Sequence, residues 1–286
     1  FLLLKLRRNT IEKVIIRYSI SSVFKIFIIS VFTRYYKINS NIEINTLYGF
    51  YKTGFLKKIK YFESLLLLLF DSVHVVSSGS KNDSAIRLFH KNVFYVPNGH
   101  NLKIIKNNFP NSNFKKKINL KYLGSMQNYY NFNDIKTLLK RRKDINLYIY
   151  GNYNEEFNSK NIIYKGKYIN NNFSNLINLN TDLLFLPYKC NSIADYGFPT
   201  KLSEYLTTGA IIISSKTGVL ENILGEIDEK LMYDDDDDIS LEKAIDYSLS
   251  LSIEQRMILT KKYRKLSIKL KWSNLVNYII NEKNYS

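Results

Sequence analysis

The chain has 286 residues, of which 45% are hydrophobic, so it is long enough to bury one large or two medium cores. Forty-two Lys and Arg stand against 25 Asp and Glu, a net charge of +17. A single cysteine excludes an intrachain disulfide and fits a reducing compartment, and three scattered histidines form no metal-ligand spacing.

The positive charge is unevenly placed. Residues 1–120 hold twenty Lys and Arg against five Asp and Glu, +15, whereas residues 121–286 hold twenty-two against twenty, +2. A basic first part suits an anionic lipid surface or an anionic acceptor; nucleic acid is the disfavoured rival. An AT-rich gene would raise lysine throughout but does not explain the asymmetry.

In chain order, residues 1–69 read as helical and offer no sharp motif. The chain opens on Phe1 and shows no signal peptide with a clear cleavage site. Val14–Phe32 is apolar but carries Arg17 and Lys25, which argues against a spanning helix. It fits either a basic amphipathic helix lying on a membrane or a buried helix of a first domain. Leu65–Phe70 is too short to span. Val73–Ser77 predicts a buried strand, Lys81–His90 a helix capped by Ser80 or Asn82, and Val93–Val96 a strand closed by the turn Pro97-Asn98-Gly99. His100 reads as a turn residue. Asn101–Lys117 is rich in Asn and Lys, contains Pro110, lacks apolar periodicity and reads as a linker.

Ile118–Leu123 predicts the first strand of a second domain, ending at Gly124-Ser125. A glycine there lets a backbone approach a phosphate, although an ordinary βα turn needs one as well. Asn133–Arg142 predicts a helix, Asn146–Tyr150 a strand, Ile162–Tyr164 another, and Phe173–Asn178 a short helix.

The central stretch is Asp182–Ser215. An apolar run, Leu183–Leu186, is closed by Pro187; a polar loop leads to Gly197 and Pro199. Helical spacing returns at Leu202, Tyr205 and Leu206, Gly209 stops the helix, and Ala210–Ile213 is β-branched. This is a βαβ unit of a parallel sheet. Ligands of such sheets bind beyond the carboxyl ends of the strands, and the loop delivers a helix N-terminus there, whose free N–H groups suit an anion. Lys201 and Glu204 share one face of its first turns. A lysine there can meet a phosphate and the glutamate can accept two sugar hydroxyls; the same spacing also suits a solvated ion pair.

The rest predicts a βα turn at Lys216–Val219, a helix over Leu220–Leu224, a strand at Lys230–Tyr233, amphipathic helices at Leu241–Leu251 and Ile253–Leu270, and a last helix opened by Trp272. The run Asp234–Asp238 reads as a solvated acidic loop rather than a metal site.

These residues resemble the donor-binding segment of GT-B-fold glycosyltransferases of the glycosyl transferases group 1 set (family 4-like). Glu204, an apolar helix, Gly209 and Ala210–Ile213 follow the family pattern, and Pro199, Lys201, Glu204 and Tyr205 match its P-x-K-x-x-E-Y subgroup. The Val96-Pro97-Asn98-Gly99 turn and the ending Trp272 plus terminal helix also fit. The resemblance covers roughly residues 63–286. It implies an α/β fold of two Rossmann-like doubly wound domains, the first incomplete, with a C-terminal helix packing back on the first. The expected division is 1–105, a linker at 106–117, a donor domain at 118–270 and a crossover helix at 271–286.

What the resemblance implies for the site is a ribose role for Glu204 and a pyrophosphate role for Lys201. Gly124 and Ser125 line the phosphate loop, Tyr168 and Ile169 hold the base, and Tyr188, Tyr196 and Gly197 border the donor. Two features depart from the family. The first of its paired glutamates corresponds here to Tyr196, beside Asp195, and the phosphate loop reads Ser125-Met126-Gln127-Asn128, with neither of the usual basic residues. No catalytic residue is assigned. The implied activity is transfer of a sugar from a nucleotide-diphosphate sugar, as substrate and with no cofactor, to a glycan or lipid-linked acceptor of cell-surface polysaccharide or glycolipid synthesis. Retention and metal independence, and a cytoplasmic place, peripheral on the inner face of a membrane, go with it. The alternatives are a nucleotide-sugar epimerase of related fold and a non-catalytic truncated homologue that binds membrane or nucleic acid through its basic part.

Overall fold

The structure is a computed structural model. It describes residues 11, 13–45, 47, 58–104, 109–111, 118–152, 159–167, 176–180, 182–190 and 196–284. The chain divides into two compact units: Phe1–Pro97 with Asp195–Phe198 and Leu275–Ser286, and Asn98–Ala194 with Pro199–Asn274.

The first unit is built on a four-stranded parallel sheet in the order β1-β2-β3-β4. Its elements are β1 (Lys13–Arg17), α1 (Val23–Tyr35), β2 (Asn39–Ile44), α2 (Ile59–Leu65), β3 (Ser72–Val75), α3 (Ser78–Lys81), α4 (Ser84–Phe89) and β4 (Val93–Tyr95). Alternation sorts the sheet's faces. Ile42, Ile44, Val73 and Val75 join Ile26, Leu47, Leu67, Phe70 and Ile86 in the core. The helical reading of residues 1–69 fails at both strands. The single apolar run Val14–Phe32 is a strand followed by a helix, and its β-branched start, Val14-Ile15-Ile16, favours the strand. A βαβ unit therefore stands where the sequence suggested none. The caps differ too: Ser77 accepts from the Ser80 amide and Asp83 from the Ala85 amide, splitting the expected helix into α3 and α4.

The second unit carries a six-stranded parallel sheet, β10-β9-β8-β5-β6-β7. Its strands are β5 (Ile118–Leu123), β6 (Ile145–Tyr150), β7 (Ile162–Tyr164), β8 (Asp182–Leu186), β9 (Ile212–Ser215) and β10 (Met232–Tyr233). Its helices are α5 (Asn133–Arg141), α6 (Thr200–Thr208), α7 (Gly218–Asp228), α8 (Asp238–Ser250), α9 (Ile253–Lys269) and the start of α10 (Trp272–Ile280), whose later residues belong to the first unit. β8 and β9 are buried along their whole length, as central parallel strands must be. The order of winding reverses between β5 and β8, so their carboxyl ends form a topological switch point. The α/β class and the two Rossmann-like parallel sheets are those expected.

Two polar features differ from the sequence reading. His100 is buried; its backbone pairs with Leu270 and Trp272, and its Nε2 lies 2.9 Å from the Ser267 carbonyl, so it joins its strand-like segment to the end of α9. The aspartate run is only partly solvated. The Asn131 amide donates to Asp235 at 2.8 Å and Asp236 at 2.7 Å, Asp237 caps α8, and Asp238 pairs with Arg141. Among the described residues no group of three or more His, Cys, Asp or Glu side chains is arranged to hold a metal ion. The expected helix over Phe173–Asn178 and the larger part of the expected linker lie outside the described residues.

Candidate functional site

The site is assembled where β5 and β8 end. β5 runs into Gly124, whose φ of +145° is a conformation that side chains strongly disfavour. A Cβ there would lie 2.0 Å from Lys201 Cε and 2.5 Å from its Nζ. Gly151, at the end of β6, has φ +148°, and a Cβ there would meet the Gly124 carbonyl oxygen at 2.1 Å. Bare backbone at Gly124 thus leaves room for the Lys201 side chain, and bare backbone at Gly151 leaves room for Gly124.

α6 presents its N-terminus with Lys201 in its first turn. Pro199 is the N-cap and supplies no side-chain acceptor, so the first N–H groups carry no side-chain cap. The helix is fixed at both ends. The Tyr205 hydroxyl accepts from the Leu123 amide at 2.9 Å and reaches the Phe185 carbonyl at 3.5 Å, which ties α6 to the ends of β5 and β8. At the far end Gly209 adopts φ +76°, and the Thr260 hydroxyl donates to its carbonyl at 2.8 Å.

The Lys201 ammonium donates to the Tyr130 hydroxyl at 2.8 Å and lies over the rings of Tyr130 and Tyr122, 4.9 and 5.4 Å from their centroids. Burial holds its pKa down to about 8, partly offset by the Glu204 charge. Burial likewise pushes the Glu204 carboxyl above its ordinary value, with Lys201 opposing. No salt bridge joins the two, and among the described residues the Glu204 carboxylate has no hydrogen-bond or ion-pair partner. The solvated ion pair that the spacing allowed is therefore not formed.

An aromatic wall backs the lysine. The Tyr130 and Tyr188 hydroxyls are 3.1 Å apart, Tyr130 and Tyr122 meet edge to face, and Tyr129 stacks on Tyr188. Burial raises the pKa of Tyr122, Tyr130 and Tyr188, so all three stay protonated.

Of the residues predicted for the site, Gly124, Ser125, Tyr188, Lys201 and Glu204 gather on the second unit around the switch point. Gly124 and Lys201 are in contact, and Tyr188 reaches Lys201 through Tyr130. Tyr196 and Gly197 belong to the first unit, where Tyr196 packs on the core and its carbonyl accepts from Ser80 at 2.8 Å. Tyr168 and Ile169 lie outside the described residues, as does Asp195. Sequence reasoning missed Tyr122, Tyr130 and Gly151. The Tyr129-Tyr130 pair directly after a basic-free phosphate loop was the available signal.

A helix N-terminus without a side-chain cap, a lysine with no carboxylate partner among the described residues and bare backbone at Gly124 together attract an anion. A free carboxylate one turn further along can accept paired hydroxyls.

The family model described as "Glycosyl transferases group 1" matches residues 104–266. No curated protein matches the chain in sequence. Among solved structures, the chain is similar to sucrose-phosphate synthase of Thermosynechococcus elongatus, at 13% identity and a TM-score of 0.67, over 94% of this chain and 72% of that one. It is similar to HepE of Anabaena in complex with UDP and glucose, at 10% identity and a TM-score of 0.68, over 93% and 77%. It is also similar to a complex of S. aureus TarM with UDP, fondaparinux and alpha-GlcNAc-glycerol, at 12% identity and a TM-score of 0.62, over 86% and 50%. At these identities the structural likeness speaks to the fold.

Proposed function

The chain belongs to the glycosyl transferases group 1 family, and from that premise we propose that its second unit binds a nucleotide-diphosphate sugar and that the sugar passes to a glycan or lipid-linked acceptor. The bond between the anomeric carbon and the diphosphate oxygen breaks, a new bond to an acceptor hydroxyl oxygen forms, the hydroxyl proton is released, and a nucleoside diphosphate leaves with added negative charge.

The observation that carries this reading is Lys201. A buried ammonium without a carboxylate partner is electrostatically incomplete. It stands beside an uncapped helix N-terminus and over a glycine that keeps the backbone bare. A diphosphate placed there restores the lysine's charge balance and meets free N–H groups, and its departing charge is stabilised by donors already in position. Glu204 accepts the two ribose hydroxyls. Tyr188 and Ser125 border the same space in this reading. UDP is the first nucleotide to try, because HepE and TarM are similar in fold and were each solved with it. Retention of anomeric configuration, independence of a metal ion and a place in surface-polysaccharide or glycolipid synthesis follow the family resemblance and are part of the proposal.

The test is a thermal-shift panel of UDP, GDP, ADP and their sugar conjugates. A ligand that binds only the folded state at a hundred times its Kd adds about 2.7 kcal/mol. A shift with one nucleotide, lost in Glu204→Ala, supports the reading. No shift with any nucleotide overturns it. Conversion of the donor without an acceptor would point instead to an epimerase of related fold.

A further inference from the structure

α1 of the first unit is built inside out. Its buried positions are Ile26, Ser30 and Thr33, and the two hydroxyls are satisfied by carbonyls three residues back, Phe27 and Ser30. Ile26 and Val23 pack on the core, but most of its apolar side chains point the other way. Phe24, Phe27, Ile28, Val31, Phe32 and Tyr35 are all exposed, Phe24 at 74% and Tyr35 at 78%. Their spacing of three and four residues places them on one face. Leu68 extends the patch, because Arg34 at the end of α1 donates to its carbonyl and its own side chain is exposed. An apolar stripe of this kind on a water-soluble surface marks an interaction site.

Charge decides what covers it. Lys13 pairs with Glu282 and Arg17 with Glu43, but residues 18–42 contain Lys25, Arg34 and Lys37 and no acidic residue. Lys25 and Arg34 flank the apolar stripe on the helix and Lys37 follows its end. Exposed phenylalanines between flanking cations are the composition of a helix that lies in the plane of an anionic bilayer, the rings among the acyl chains and the cations at the headgroups. Among the described residues no helix is long and apolar enough to cross a membrane. A second copy of the chain fits less well, because a symmetric contact would bring these cations together.

We propose that the exposed face of α1 docks the protein on an anionic lipid surface. This goes beyond donor binding and does not depend on it, since α1 belongs to the first unit and Gly124, Lys201 and Glu204 to the second.

The test is sedimentation of the full chain, without nucleotide, with phosphatidylcholine vesicles that contain either none or about a third of phosphatidylglycerol. The expected result is binding to the anionic vesicles only, weakened by salt. The triple variant Phe24→Ser, Phe27→Ser, Val31→Ser should bind at least about tenfold less tightly while melting with the parent, because its targets are exposed. Lys25→Gln with Lys37→Gln should weaken binding several-fold. Should the triple variant misfold, Phe24→Ser alone carries the comparison. Failure of the parent to bind, or equal binding by the folded variants, overturns the proposal. So does a dimer in light scattering that the triple variant dissociates, or binding to single-stranded RNA in preference to the vesicles.

Discussion

Lys201 donates its hydrogen bond to Tyr130 rather than pairing with Glu204, one turn along the same helix. A phenol hydroxyl is a weak partner for a buried ammonium, and the depressed pKa of about 8 records the deficit. The unfolded value is 10.5, so between about 8 and 10.5 the unfolded chain holds a proton that the folded chain lacks, and stability rises with pH across that window. Below pH 8 the full penalty is present. Lys201→Met should therefore be more stable than the parent at pH 7, by about 1–3 kcal/mol, and the gain should fade as pH rises from 8 to 10.5. The same variant should lose nucleotide affinity. Chemical denaturation at several pH values, together with calorimetric titration of UDP, checks both halves.

A second consequence of that pKa is proton uptake. A diphosphate beside Lys201 favours the charged form, so nucleotide binding near pH 8.5 should draw a proton from the buffer and affinity should fall as pH rises above 8. Titrations in buffers of different ionisation enthalpy read the uptake directly. It should be absent at pH 6, where the lysine is already charged, and absent in Lys201→Met.

Glu204→Ala should lower nucleotide affinity by about 1.5–3 kcal/mol, roughly ten- to a hundredfold, if the carboxylate accepts ribose hydroxyls. Its carboxyl is held above the ordinary value by burial, so its charge disfavours folding at neutral pH and removal should leave the melting temperature equal or higher. A binding loss with an intact fold separates a ligand role from a structural one. Unchanged affinity removes Glu204 from the site.

The two strand-end glycines should fail differently. In Gly124→Ala the new methyl meets the flexible end of Lys201, so the lysine is displaced and binding suffers along with about 1–3 kcal/mol of backbone strain. In Gly151→Ala the methyl meets the Gly124 backbone, which has no rotamer to change. Gly151→Ala should melt lower than Gly124→Ala. Gly166 has φ +77° but nothing within 4 Å, so Gly166→Asn should be tolerated.

Asp134 is raised from 3.8 to about 6, first by burial and then by the Asp235 and Asp236 charges. Between these values the folded chain holds the extra proton, so stability falls as pH rises from 3.8 to 6 and the cost is complete above 6. Asp134→Asn should add about 1–2 kcal/mol at pH 7 and nothing near pH 4. Melting curves at the two pH values decide it.

The second unit was legible because its signals are local. Leu183–Leu186 is a buried run ended by a proline, Gly209 stops a helix, and the lysine and glutamate between them are set three apart by the helix itself. The first unit was misread where one apolar run serves two elements: Val14–Phe32 contains most of β1 and most of α1, with no glycine or proline at the joint. Gly151 and Tyr130 were missed because their importance is a matter of register and reach, and the Tyr129-Tyr130 pair offered only a local signal. Gly151 matters through the neighbouring strand end, and Tyr130 through a side chain seventy-one residues away. The aspartate run was read as solvated because its chief partner, Asn131, is more than a hundred residues distant.

The first unit draws on residues from both ends of the described chain. Glu282 accepts from Lys13 and from Ser72, and Asn284 accepts from the Tyr95 amide. The second unit has all its strands once Tyr233 has been made. The four-stranded sheet, its strands made before those of the second unit, therefore gains these partners only after the six-stranded sheet has all its own strands, so the unit begun first is the later to be completed.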